Sequence, residues 1–297
     1  MVEKKEKLGI FQILNYSGFA LFTLLCIFPF YYLFINTISN NDLSSRGLVL
    51  FYPIDVHFTN YMDVFKLPGL GLAAFVSLSR TVIGTALTVF ASAFLGYLFT
   101  KNEMWGRKFW YRFLMISMYF NAGLIPWYLT MLNLGLVNNF LAYILPAIVS
   151  PFFIILVKTF IEATPISLQE SAQIDGAGYV VIFAKIILPL SMPILATIAI
   201  FAAVGQWNSF TDTLFLVTDQ KLFSLQFILY RYMNEATSLA QLMKQMSGSA
   251  NMDLANMATP TSIRTTVSMV VVTPILLVYP FFQRFFVKGI MIGAVKG

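Results

Sequence analysis

Two stretches of this chain gather side chains suited to recognition, and neither is equipped to make or break covalent bonds. In the first, Glu170-Ser171-Ala172 is followed by Asp175-Gly176, which sets two carboxylates around small residues within about one and a half helical turns. Those carboxylates can accept charge-assisted hydrogen bonds from a partner that small neighbours allow to come close. In the second, Gly205-Gln206-Trp207-Asn208-Ser209-Phe210-Thr211-Asp212 puts amides, an indole and a carboxylate into an apolar region. On an unbroken helix Asn208 and Asp212 lie four apart on one face. Polar groups in lipid are costly unless they face the bundle interior or water, so this cluster nominates a solute path. The competing reading makes Gln206 and Asn208 interhelical glue worth about 1 kcal/mol each, with Asp212 at headgroup level. Catalytic constellations are missing. His57 is the one histidine and Cys26 the one cysteine, with no GxSxG and no HExxH. Nor is there a GxxxxGK[ST] loop to cradle phosphates, so the chain is predicted not to be an enzyme and to hydrolyse no ATP itself.

Those residues must be positioned by membrane helices. The chain is 58% hydrophobic and 11% charged, against roughly 25% charged in soluble domains. Six apolar stretches, at about 11–38, 73–100, 109–131, 140–161, 190–217 and 264–287, are near or above the roughly 18 residues that mark a span. The predicted fold class is therefore an all-α integral membrane protein, one transmembrane domain over 1–297. The charged start, MVEKKEKLGI, resembles a signal-peptide n-region, but the following run lacks a small-residue cleavage site and reads as a retained first helix. The net charge of +6 gathers at span ends and forms no single basic face, so nucleic acid is excluded as a partner and membrane lipid expected. Twelve Lys and Arg lie on the termini and the segments around 101–112 and 158–189, against five in the opposite loops. Both termini are thus expected in the cytoplasm, with a long external loop at 218–263.

Within the spans, Arg80 is expected to snorkel to headgroups. Tyr119, Asn121, Gly123, Pro126 and Tyr128 interrupt the third span, and Pro126 is expected to kink it. Asn121 and Tyr128 join Gln206, Trp207, Asn208 and Asp212 as candidates for a solute path. Between the fourth and fifth spans, 162–189 has structure of its own. Thr164 can cap a helix beginning at Pro165, with Ser167 and Glu170 spaced as an alternative capping box, and Gly176 and Gly178 end it. A second amphipathic piece, Tyr179 to Leu188, leads to Pro189. An interfacial hairpin resting on anionic lipid should be rich in Lys and Arg, yet 162–178 holds none.

In this segment the chain resembles the membrane subunits of bacterial ATP-binding-cassette importers, the carbohydrate permeases of the maltose type. Their signature is Glu-Ala-Ala, three residues, Gly, nine residues, then Ile-x-Leu-Pro. Here stand Glu170-Ser171-Ala172, Gly176 and Ile186-Ile187-Leu188-Pro189 at that spacing, with Ser171 as the one departure. The resemblance implies a type I importer permease fold with five core helices, a peripheral first helix and a cytoplasmic coupling helix. It assigns ATPase coupling to Glu170, Ser171, Ala172, Asp175, Gly176, Ile186, Leu188 and Pro189. The ending GIMIGAVKG is similar to family tails that reach between the ATPase subunits, which gives Gly293, Lys296 and Gly297 a docking role. The implied partners are a second homologous permease, two ATPase subunits holding ATP and Mg, and an extracytoplasmic solute-binding protein. The implied site of action is the bacterial inner membrane, and the implied cargo is an oligosaccharide. The motif does not distinguish a peptide importer. An ion-coupled transporter would need a midplane carboxylate, for which Asp212 alone is available. A membrane scaffold without transport leaves the hairpin unexplained.

Overall fold

A computed structural model of the chain describes residues 9–234 and 259–289, apart from the side chains of 260 and 279–289. The tail residues Gly293, Lys296 and Gly297, and most of the 218–263 loop, lie outside the described residues. Every described element is helical. The chain divides into two compact units, residues 1–67 with 231–272 and residues 68–230 with 273–297.

In the first unit, α1 (Ile10–Thr37) is exposed along most of its length and becomes buried only at Ile35, Asn36 and Thr37. The segment after it is folded around a polar zipper. Asn40 caps α2 (Asn41–Ser45), and α3 (Thr59–Phe65) returns to it. The Asn60 amide donates to Thr37 O at 3.0 Å and to Asn41 Oδ1 at 2.8 Å, while Ser44 Oγ donates to Asn36 Oδ1 at 2.7 Å. Buried amides and hydroxyls are tolerated here because each finds a partner. The first turns of α13 (Pro260–Gly289) belong to this unit as well, with Val267 and Val271 buried.

The second unit is organised by α4 (Leu70–Leu98), packed against α7 (Pro151–Glu162) and α11 (Met192–Asn208). Burying apolar surface gains little when the alternative is lipid, so close backbone approach has to supply the attraction. Two glycines of α4 provide it. A Cβ on Gly84 would lie 2.8 Å from Gln206 Nε2, and one on Gly96 would lie 2.8 Å from Val157 Cγ1. One core cluster joins Ala93 and Tyr97 to Val157, Ile161, Ile182, Phe183, Leu195 and Ile198. A second gathers Val76, Met131, Tyr143, Ile144, Leu216 and Val217. There the left-handed Asn138 accepts from the Thr218 and Asp219 amides at 2.6 and 3.0 Å, tying the 138–139 turn to the end of α12 (Thr211–Leu216).

Three of the spans read from sequence coincide with helices long and apolar enough to cross a membrane: Ile10–Thr37, Leu70–Leu98 and Thr261–Val278. Two more are bent pairs, Phe140–Ala147 with Pro151–Glu162 at 44° and Tyr179–Leu190 with Met192–Asn208 at 77°. The 109–131 stretch is broken, with α5 (Arg107–Tyr119) ending before α6 (Leu124–Asn133). Pro126 is not the cause of the break, contrary to expectation. It is the third residue of α6, where the missing N–H had no intrahelical partner. The chain turns instead at Asn121, whose Oδ1 accepts from the Gly123 amide at 2.9 Å, and at Gly123 with φ +86°.

Candidate functional site

The 162–190 segment is a hairpin of α8 (Ser167–Ile174) and a composite second arm. That arm runs from α9 (Tyr179–Ile182) through a π-helical turn (Phe183–Ile187) into α10 (Leu188–Leu190). Neither expected cap forms. Thr164 Oγ1 donates back to Ile161 O at 2.6 Å, and the residue preceding α8 is Ile166, which has no capping side chain. The stop is as expected. Gly176 takes φ +80°, its amide donates to Gln173 O at 3.0 Å, and the Ala177 amide donates to Ala172 O at 2.9 Å. Those two bonds make a Schellman motif, whose left-handed position suits glycine.

The two faces of α8 differ in use. Glu170, Ser171, Asp175 and Gly176 are exposed together with Ile166 and Ile174, the latter 86% exposed. Ala172 points the other way, into the chain's own core. It packs with Ala177, Ile186 and Leu188 against the cluster holding Tyr97, Ile182 and Phe183. The small size read as room for a partner serves at Ala172 for internal packing, while Ser171 remains outside. Pro189 is exposed at the second arm's end.

Lys101, just beyond α4, was not singled out by the sequence reading. Its Nζ donates to the buried Gln169 Oε1 at 2.5 Å and lies 4.6 Å from the Tyr97 ring centroid and 5.5 Å from that of Tyr179. Tyr97 OH donates to Tyr179 O at 3.3 Å. Burial pushes the Lys101 pKa down from 10.5, against the opposing pull of Glu103. The hairpin is thereby fastened to the end of α4 by a cation, two rings and an amide.

Near the other end of α4, Arg80 overturns its expected snorkelling. It is 2% exposed. Its Nε and Nη2 donate to Gln206 Oε1 at 3.1 and 3.0 Å, and Nη1 donates to Asp212 Oδ1 at 3.1 Å and to Ser209 O at 3.3 Å. Nη2 also pairs with Asp212 Oδ2, and the guanidinium lies 4.3 Å from the Tyr143 ring centroid. Gln206 Nε2 in turn donates to Tyr143 O at 3.1 Å. A lone Arg or Asp in lipid is expensive, so charges of opposite sign in neighbouring spans find each other. That rule was a signal available in the sequence.

The cluster is brought together only in part. Gln206 and Asp212 meet through Arg80, whereas Asn208 is exposed and Trp207 half-buried. The shared helical face expected for Asn208 and Asp212 is absent, because α11 stops at Asn208, Ser209 is extended and α12 restarts at Thr211. Asn121 is exposed, occupied with its own turn, and Tyr128 packs beside the Met131 and Tyr143 cluster. Asp212 is held by a guanidinium and is ill suited to bind a coupling ion. Among the described residues no group of three or more His, Cys, Asp or Glu could hold a metal.

No protein-family model matches the sequence. A polygalacturonan/rhamnogalacturonan transport system permease of Bacillus subtilis (strain 168), YtcP, is 33% identical over 290 residues, covering 97% of this chain and 99% of that one. An arabinooligosaccharides transport system permease of Halalkalibacterium halodurans, AraQ, is 28% identical over 99% of this chain and 100% of its own. Among solved structures, a bacterial ABC transporter involved in import of the acidic polysaccharide alginate superposes with a TM-score of 0.81 at 25% identity, over 96% of this chain and 100% of that one. The chain belongs to the permease family of bacterial sugar ATP-binding-cassette transporters.

Proposed function

We propose that this chain is a pore-forming subunit of an ATP-driven, binding-protein-dependent importer for an oligosaccharide. A separate ATPase, holding ATP and Mg, docks on the 162–189 hairpin and drives alternating access. In this reading the chain crosses the inner membrane six times, the α5–α6 pair counting as the broken third span, with both termini and the hairpin in the cytoplasm. It works beside a second homologous permease and receives cargo from an extracytoplasmic solute-binding protein. Relatives named for polygalacturonan and arabinooligosaccharides support the cargo class, as does a neighbour that imports alginate.

The observation that carries the ATPase assignment is the division of α8. One face packs into the core, and the other leaves Glu170, Ser171, Ile174 and Asp175 uncovered on a helix with a fixed end. An acidic and apolar face, free of Lys and Arg, suits a protein cleft better than an anionic lipid surface. The test is reconstitution with the proposed ATPase and solute-binding partners, comparing wild type with Glu170→Ala and Gly176→Asp. Uptake of trigalacturonate and arabinotriose is measured together with co-purification of the ATPase. Loss of the ATPase, or of uptake, in folded variants supports the reading. Wild-type uptake by both variants sinks it.

A further inference from the structure

We propose that Lys101 is the positioning residue that fixes the hairpin to α4, so that force applied at the exposed face of α8 is delivered along α4 towards Arg80. The proposal rests on the coupling role assigned above. Lys101 follows the end of α4 by three residues and contacts both arms of the hairpin, Gln169 on α8 and the Tyr179 ring at the start of α9. The Tyr97 ring also lies against its ammonium, and Glu103 is near enough to act on its charge. Gln169 is 8% exposed, so its carbonyl has no ready replacement in water once the ammonium is gone.

What α4 contributes is stiffness. It is a single α-helix of 29 residues with no proline, and it carries Lys101 beyond one end and the Arg80 cluster near the other. The eighteen helical steps from Arg80 to Leu98 span about 27 Å at 1.5 Å each. Apolar packing through Ala172, Ala177 and Phe183 already holds the hairpin against the unit. That packing is non-directional and permits sliding, whereas a charge-assisted bond to Gln169, bracketed by two rings, specifies one register. Losing Lys101 therefore leaves the hairpin present but loosely indexed.

The test places spin labels at Val82→Cys and Val180→Cys, both at exposed residues, in a Cys26→Ser background of the assembled transporter in lipid nanodiscs. Double electron–electron resonance should give one narrow distance for wild type. Lys101→Met should add a second population, shifting the balance between docked and displaced hairpins by about tenfold, the worth of one charge-assisted bond. Lys101→Arg, which keeps the donor and the stacking, should restore the single distance. Should Lys101→Met fail to assemble, Gln169→Met removes the acceptor alone, and the same second population is expected. An unchanged narrow distance in the assembled variant overturns the proposal. Wild-type uptake by both Glu170→Ala and Gly176→Asp would instead overturn the coupling reading, whatever the distances show.

Discussion

Replacing Arg80 by Met removes the charge and all five of its hydrogen bonds while keeping much of the side-chain volume. Gln206 Oε1 loses both guanidinium donors, and Asp212 keeps the Thr213 amide at 2.8 Å as a donor. Breaking a buried ion pair from one side costs about 3–5 kcal/mol. Asp212 is 14% exposed, so water can reach part of the orphaned carboxylate and the lower end applies, about 3 kcal/mol or roughly 150-fold in the folding equilibrium. Asp212→Leu is likewise costly, because it strands a guanidinium that is almost fully enclosed. The double variant, with neither charge, should recover at least about 2 kcal/mol relative to the sum of the single changes. Unfolding of the purified chain by sodium dodecyl sulfate, followed by tryptophan fluorescence, gives all four corners of the cycle. Strictly additive losses, or an Arg80→Met protein as stable as wild type, would refute the pairing and return Arg80 to the headgroups.

Other outcomes follow from the same structure. Gly96→Ala puts a methyl 2.8 Å from Val157 Cγ1 and 3.2 Å from the Lys158 amide nitrogen, so it should lose about 1–3 kcal/mol. Gly71→Ala, which meets nothing within 4 Å, should change stability by less than about 1 kcal/mol, and equal losses in the same unfolding titration would contradict the close approach. Gly176→Ala, forced into φ +80°, should cost about 1–2 kcal/mol and Gly176→Asn less, checked by thermal unfolding in detergent. Burial lowers the Lys101 pKa from 10.5, so between the folded-state value and 10.5 the unfolded chain binds more protons. Stability from this residue therefore rises with pH across that window. The stability difference between wild type and Lys101→Met should grow in favour of wild type as the pH rises towards 10.5, and a flat or falling difference would contradict the sign.

The regular parts of the fold were legible because long apolar runs leave a chain little choice. α1, α4 and α13 follow from run length, and Gly176 ends α8 because its backbone needs φ > 0. The irregular parts were not legible, for reasons specific to each. Pro126 looked like the breaker of 109–131, but local Asx chemistry at Asn121 with Gly123 made the break, and hydropathy is blind to that. Asn208 and Asp212 seemed to share a face because spacing assumes an unbroken helix, and Ser209 is extended. The polar zipper of Asn36, Ser44 and Asn60 lies in a segment with no periodicity to read. Of the candidate site, the hairpin's exposed carboxylates were visible in sequence. Its fastening was not, since Lys101 and Gln169 are 68 residues apart and neither belongs to a motif. Arg80 was misplaced because it was weighed alone, without the aspartate that compensates it.

If the exposed face of α8 is where the ATPase acts, a photocrosslink from that face will reach it. A benzoylphenylalanine at Ile174, on that face, should crosslink to the ATPase in native membranes. The same group at Phe201, exposed on α11, should not. Substrate uptake should also fall in proportion to the Ile174 crosslink formed. An Ile174 probe that reaches only lipid, with uptake intact, would contradict the account.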